Sequence, residues 1–250
     1  MADVLLSLRE VSKSYWRGPS EVRVLAGASL DVHQGELVAV WGKRGAGKTT
    51  LLRLAAGLER PDGGVVRFEG EDLATLSDGA HARLMREQMG WVRRAGPRSE
   101  LEMVDYVALP LLVEHGRRGA HARAREALRR VGMSQCAGQR WGSLSDGERA
   151  LVAIAHGVVR SPRLLLIDDP TANLGLRERE EVLELLHALV EETGIAVLIA
   201  VPDMPAAMRS HQLAALSGGR LLAPMGSTQP PPRTPERGNV IDFPGSERSA

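Results

Sequence analysis

The chain has 250 residues, is 43% hydrophobic and 25% charged, and carries a net charge of +1, the balance of one large, soluble globular domain. That charge excludes sequence-independent nucleic-acid binding and a polybasic membrane anchor, and the lone Cys136 excludes a disulfide framework or a cysteine zinc site. No apolar run reaches bilayer length, and the opening MADVLLSLREVSKSY lacks the pattern of a signal peptide, so a cytosolic protein is expected.

In chain order, residues 5–11 and 22–32 read as β-rich, separated by a turn at Trp16-Arg17-Gly18-Pro19. Residues 36–41 (ELVAVW) form a short apolar run ending at a glycine, the pattern of a buried strand. A helix is predicted over 47–56, capped by Gly57, and Gly63-Gly64 turns into a strand at 65–68. From about 81 to 159 the composition is helical, most clearly at 120–131 and 148–159. Residues 164–167 are a second apolar strand, followed by two aspartates. Residues 176–193 are amphipathic, with Leu176, Val182, Leu183, Leu186, Leu189 and Val190 near one face and Gly194 as the stop; 195–201 is a further buried strand.

Strand–helix alternation at both ends, with helices between, predicts a parallel α/β core that carries a helical subdomain at about 93–160. The stretch 227–250, STQPPPRTPERGNVIDFPGSERSA, is rich in proline, serine and charge and reads as a disordered tail after one domain spanning 1–226.

Gly42-Lys43-Arg44-Gly45-Ala46-Gly47-Lys48-Thr49 fits the phosphate-binding loop G-x-x-x-x-G-K-[ST] in full, and Thr50 follows it. Glycines let the backbone curl until successive N–H groups converge on phosphate, and the next helix adds its positive end. Lys48 is expected on the β- and γ-phosphates and the Thr49 hydroxyl on Mg²⁺. A chance glycine loop would not sit between a predicted strand and a predicted helix. Asp168, at the end of the second apolar strand, is the expected carboxylate that holds Mg²⁺ through water. No Asn-Lys-x-Asp element occurs, which argues against guanine recognition.

Leu144-Ser145-Asp146-Gly147-Glu148, about twenty residues before Asp168, resembles the LSGGQ or LSGGE signature of ATP-binding cassette (ABC) ATPases. Val152-Ala153-Ile154-Ala155 continues that signature helix, Gly90-Trp91-Val92 precedes the place of the glutamine loop, and Asp169-Pro170-Thr171 follows the magnesium aspartate. The resemblance spans about residues 4–222 and implies a P-loop core with an N-terminal antiparallel β-subdomain and an inserted α-helical subdomain. It also implies ATP and Mg²⁺ as ligands and Tyr15 as the aromatic that stacks on adenine. It further implies a head-to-tail dimer in which one subunit's P-loop and the other's signature enclose each ATP. Ser145 and Glu148 make an S-x-x-E capping box, which sets Ser145 at a helix start. The phrases Ala56-Gly57-Leu58-Glu59-Arg60-Pro61, Gly70-Glu71-Asp72-Leu73 and Val107-Ala108-Leu109-Pro110-Leu111-Leu112 resemble the subunits that serve lipoprotein-release, macrolide-export and cell-division permeases.

Five positions depart from the family pattern. Asp169 stands for the catalytic glutamate, Arg94 for the glutamine that senses Mg²⁺ and water, and Val201-Pro202-Asp203 for the switch Thr-His-Asp. Gly175 replaces the dimer-contacting aspartate, and Asp146 the first signature glycine. Each has a plain reading as well. Asp146 in a first helical turn favours the dipole by about 0.3–1 kcal/mol, and Arg93-Arg94 could be a solvated loop pair. Simultaneous loss of glutamate, glutamine and histidine points to a site that holds ATP more than it cleaves it. His156 and His187 read as helix-face residues and Trp41 as core packing.

The expected assembly is this subunit with a second, complete ABC ATPase on an integral membrane permease, held peripherally at the inner face of the cell membrane. Motion would couple through residues 96–112. Three alternatives remain: a homodimer of low turnover, a regulatory module that gates a membrane partner, and, least favoured, a soluble ABC protein of repair or translation.

Overall fold

The computed structural model describes residues 4–93, 96–97, 100–170, 174–202 and 210–226. The tail at 227–250 and the candidate residues Arg94, Thr171 and Asp203 lie outside them.

Strands β1 (Val4–Arg17) and β2 (Ser20–His33) form one long antiparallel hairpin. The two shorter strands expected at 5–11 and 22–32 are extended by cross-strand pairing as far as Arg17 opposite Ser20, through a stretch, Ser12–Arg17, that shows no apolar–polar alternation of its own. After β3 (Leu37–Trp41) and α1 (Lys48–Ala55), β4 (Gly63–Phe68) returns to pair with β1. With β5 (Glu71–Asp72) it completes an antiparallel sheet in the order β2-β1-β4-β5. The turn expected at Gly63-Gly64 is therefore the opening of β4, with Gly63 opposite Ser12 across a register shift.

Helix α2 (Asp78–Glu87) leads into β6 (Met89–Arg93), a strand inside the stretch that reads as helical by composition. It pairs in parallel with β7 (Leu164–Asp168), from Met89 opposite Leu164 to Arg93 opposite Asp168. Between them run α3 (Met103–Ala108), α4 (Leu112–Arg130) and α5 (Asp146–Val158). Helix α4 is broken at Gly116 (φ 61°, ψ 171°), so the helix expected at 120–131 is its second half. Helix α6 (Leu176–Thr193), β8 (Ala196–Val201), β9 (Gln212–Ser217) and β10 (Arg220–Gly226) complete the chain. The second sheet has the order β10-β9-β3-β8-β7-β6, parallel except for β10.

Strand alternation divides the core between the two faces of this sheet. Leu37, Ala39, Leu165, Ile167, Val197 and Ile199 face a cluster with α3–α6. Val38, Val40, Leu164, Leu166, Leu198 and Ala200 face α1 and the antiparallel sheet. A strand buried on both faces has no polar side chain to spare, which is why β3, β7 and β8 read as unbroken apolar runs; each fully buried Val, Leu or Ile contributes about 1.5–3 kcal/mol.

Helix α6 buries five of the six residues expected on its inner face, but Leu176 is 62% exposed. It is the first helical residue, before the apolar stripe meets the sheet. Helix α5 lies directly on β6. A Cβ on Gly90 would come 2.3 Å from the Gly157 carbonyl oxygen, so only glycine permits this approach. The helix that begins at residue 146 is thereby locked to the strand that ends at Arg93.

Candidate nucleotide site

The loop at 42–49 joins buried β3 to α1. Its turn is closed by the Ala46 N–H donating to the Lys43 carbonyl at 3.0 Å. Gly47 caps α1 with φ 103°, in contact range of Val24, where a side chain would be both strained and obstructed. Gly42 and Gly47 are buried, while Lys43, Arg44, Gly45 and Thr49 are exposed, so the loop is anchored at its glycines and open along its middle. Helix α1 has no acidic residue of its own in its first turn.

Lys48 Nζ donates to the carbonyls of Gly42 (2.6 Å) and Lys43 (3.2 Å), folded over its own loop. Burial lowers its pKa, opposed by the carboxylates of Asp169 and then Asp168. Both acids therefore act on Lys48, the replacement for the expected catalytic glutamate more strongly. Thr49 Oγ1 donates to Asp168 Oδ1 at 3.1 Å, so two oxygens 119 residues apart in sequence meet at the mouth of the loop. Asp169 adopts φ 48° and its N–H bonds the Ala200 carbonyl at 3.1 Å. Aspartate tolerates that left-handed conformation better than most residues. Pro202, half-buried, follows the end of β8.

Tyr15, half-buried on β1, donates its hydroxyl to the Glu59 carboxylate, with the Thr50 hydroxyl 3.5 Å away. Glu59 is also paired with Arg53 of α1 at 3.0 Å. Lys13 Nζ lies 5.8 Å from the Tyr15 ring centroid and is itself held by Asp62 at 2.9 Å. Burial first, and then Glu59, raises the Tyr15 pKa. No local sequence signal marks Glu59 as Tyr15's partner. It stands 44 residues from Tyr15, and only the turn after α1 brings it back.

The capping box forms as expected. Ser145 Oγ accepts from the Glu148 N–H at 3.2 Å, and Glu148 Oε2 accepts from the Ser145 N–H at 2.8 Å. Leu144 and Gly147 are buried, Ser145 and Asp146 exposed. Asp146 Oδ1 pairs with Arg149 Nη1 at 3.0 Å. No hydrogen bond or ion pair among the described residues joins 144–148 to the P-loop.

Arg93 ends β6 beside a cleft of about 160 Å³ that is also lined by Trp141, Asp146, Arg149 and Pro170. His156, stacked on Tyr106 with ring centroids 4.5 Å apart, has its pKa pushed down to about 4 by burial and by Arg93. His187 is buried in α6 with its ring 5.0 Å from His211. Trp41 packs partly buried against the core.

The family model for ABC transporters matches residues 25–172. The chain is 38% identical over 221 residues to the lipoprotein-releasing system ATP-binding protein LolD of Chromohalobacter salexigens, covering 88% of this chain and 93% of that protein. It is 38% identical over 221 residues to the macrolide export ATP-binding/permease protein MacB 1/2 of Paracoccus denitrificans, covering 88% of this chain and 33% of that protein. The fold is similar to that of the ATP-binding cassette MJ0796 in a dimeric post-hydrolysis state bound to ADP and Pi, with TM-score 0.79 and 27% identity over 88% of this chain and 98% of that one.

Proposed function

The chain belongs to the ABC transporter family as an ATP-binding subunit, and on that premise we propose that it binds Mg-ATP in a head-to-tail cassette dimer and cleaves it weakly. The observation that carries this reading is the meeting of Thr49 and Asp168 at 3.1 Å beside Lys48. A hydroxyl and a carboxylate are hard oxygen donors of the kind Mg²⁺ takes, Asp168 acting through water, while Lys48 and the loop amides neutralise phosphate. When bound, the ion would neutralise charge that develops on the β- and γ-phosphate oxygens. Tyr15, held by Glu59 beside α1, offers its ring to the adenine.

What these residues do for cleavage is less complete. Asp169 is one methylene short of glutamate, about 1.5 Å, and displacements of this order cost up to about 100-fold. Pro202 brings neither an imidazole nor an N–H to the γ-phosphate, and Arg94 stands in the place of the water-sensing glutamine. The site binds and orients ATP but positions water poorly.

Among the described residues, 144–148 make no bond to the P-loop, which favours a composite site shared with another cassette. That cassette is a second, catalytically complete ATPase in this proposal. The permease is of the class served by the lipoprotein-release and macrolide-export relatives, and it sets the cargo. Exposed Leu109, Leu112 and Val113, the last 97% exposed, support docking at the start of α4. No described helix is long and apolar enough to cross a membrane; in this proposal the chain attaches through the permease, at the inner face. Residues 93–160 act as the helical subdomain of this arrangement.

Titration with a fluorescent ATP analogue tests the site. Lys48→Ala should weaken binding by an order of magnitude or more, since charge-assisted phosphate contacts are the strong ones. Unchanged affinity would refute the assignment.

A further inference from the structure

An acid at the first signature glycine poses a physical problem. The capping box uses the amides of Ser145 and Glu148, which leaves those of Asp146 and Gly147 in the first turn of α5 for an anion. A free carboxylate on Asp146 would stand beside the same amides and repel the phosphate they attract.

The neighbouring geometry answers this. The Arg149 guanidinium bonds at three points: Nη1 to Asp146 Oδ1 at 3.0 Å, Nε to the Trp141 carbonyl at 3.2 Å and Nη2 to the Gly142 carbonyl at 3.4 Å. Two of these partners belong to the short turn Trp141–Ser143 that precedes the signature. That turn is itself fixed. The Trp141 indole sits edge-on to Tyr106, centroids 5.8 Å apart, and lies so close over Gly96 that a Cβ there would come 2.0 Å from it. An ordinary exposed i,i+3 ion pair couples two mobile side chains and constrains neither. Here the arginine is pinned to backbone, and the 49% exposed carboxylate of Asp146 is tied to it.

Resting on the proposed role of 144–148 as the signature, we propose that Arg149 is a positioning residue that draws the Asp146 carboxylate back along α5 and neutralises it. The signature can then grip the γ-phosphate of the opposing cassette while carrying an acid in place of glycine. Asp146 and Arg149 form a compensated pair, and losing the arginine alone is worse than losing both.

The test uses the full chain in the assembly it forms with its permease and partner cassette. It reads the ATP concentration for half-maximal dimer closure by fluorescence transfer between the cassettes. Arg149→Met should raise that concentration about fivefold or more, the factor produced by an unscreened unit charge near 4 Å in solvent. Arg149→Met combined with Asp146→Gly should return it close to the starting value. If Arg149 only braces the Trp141–Ser143 turn, the double variant stays as impaired as the single one, and the proposal is overturned. It is equally overturned if Arg149→Met changes nothing. A wild-type assembly that never closes with ATP overturns the functional reading, and this inference with it.

Discussion

His156, on α5, should make the stability of the protein depend on pH. Its ring lies stacked on Tyr106 of α3, 4.5 Å between centroids and 11° from parallel, with its pKa lowered from 6.5 to about 4 by burial and then by Arg93. The unfolded chain therefore binds a proton between those values that the folded chain refuses. A depressed folded pKa contributes stability above pH 6.5, and this is lost as pH falls towards 4. Integrated over the titration, the shift removes about 2 kcal/mol between pH 7 and pH 5. His156→Phe keeps an aromatic ring on Tyr106 without the titration. Urea unfolding of both proteins across pH 5–8 isolates the effect, because His211, also depressed by burial and by His187, contributes equally to each. The wild-type protein should lose about 2 kcal/mol more than the variant. Parallel stability curves would refute the reasoning.

Gly90→Ala should destabilise more than Gly157→Ala, because its Cβ meets a backbone carbonyl at 2.3 Å whereas the other meets Val92 Cγ2 at 2.6 Å. Overpacking typically costs about 1–3 kcal/mol, and equal melting temperatures would contradict the strand–helix contact. Tyr15→Ala should weaken ATP binding by about five- to 100-fold, the range for loss of a base–aromatic stack, while Tyr15→Phe, which loses only the hydroxyl contacts to Glu59 and Thr50, should stay nearer the wild type; equal losses in titration calorimetry would exclude stacking. Asp169→Glu should raise single-turnover phosphate release less than about tenfold, since a restored base is worth up to about 10²–10⁴-fold only when water is placed for it, and a larger gain would show that the missing partners are dispensable.

The parts of the fold legible in the sequence are those whose signals are local. Helix α6 runs over 176–193 as expected because its apolar period and its stop, Gly194 at φ 69°, are both written in the chain. The capping box at 145–148 is likewise a four-residue statement. Strand β6 was hidden because five residues, Met89–Arg93, sit within an Arg- and Ala-rich stretch and owe their conformation to pairing with β7, 75 residues on. Strands β9 and β10 fall after the last strong apolar run and alternate too weakly to stand out. In the site, the loop motif announced Lys48 and Thr49 and the strand end announced Asp168, but Glu59 behind Tyr15 depends on a tertiary approach. Arg149 was overlooked for another reason. Its i,i+3 spacing from Asp146 is visible in the sequence, but its significance comes from the Trp141 and Gly142 carbonyls that fix it.

The central claim is that the chain's own P-loop site keeps the ATP it binds. Filter binding of the full chain, in its assembly, with ATP labelled in parallel at the α- and γ-phosphates tests this directly. The site built from Lys48, Thr49 and Asp168 should retain both labels equally through an incubation in which a complete cassette turns over many times. Rapid loss of the γ label from every nucleotide the assembly holds, with the α label still bound, would contradict the account, as would retention of neither.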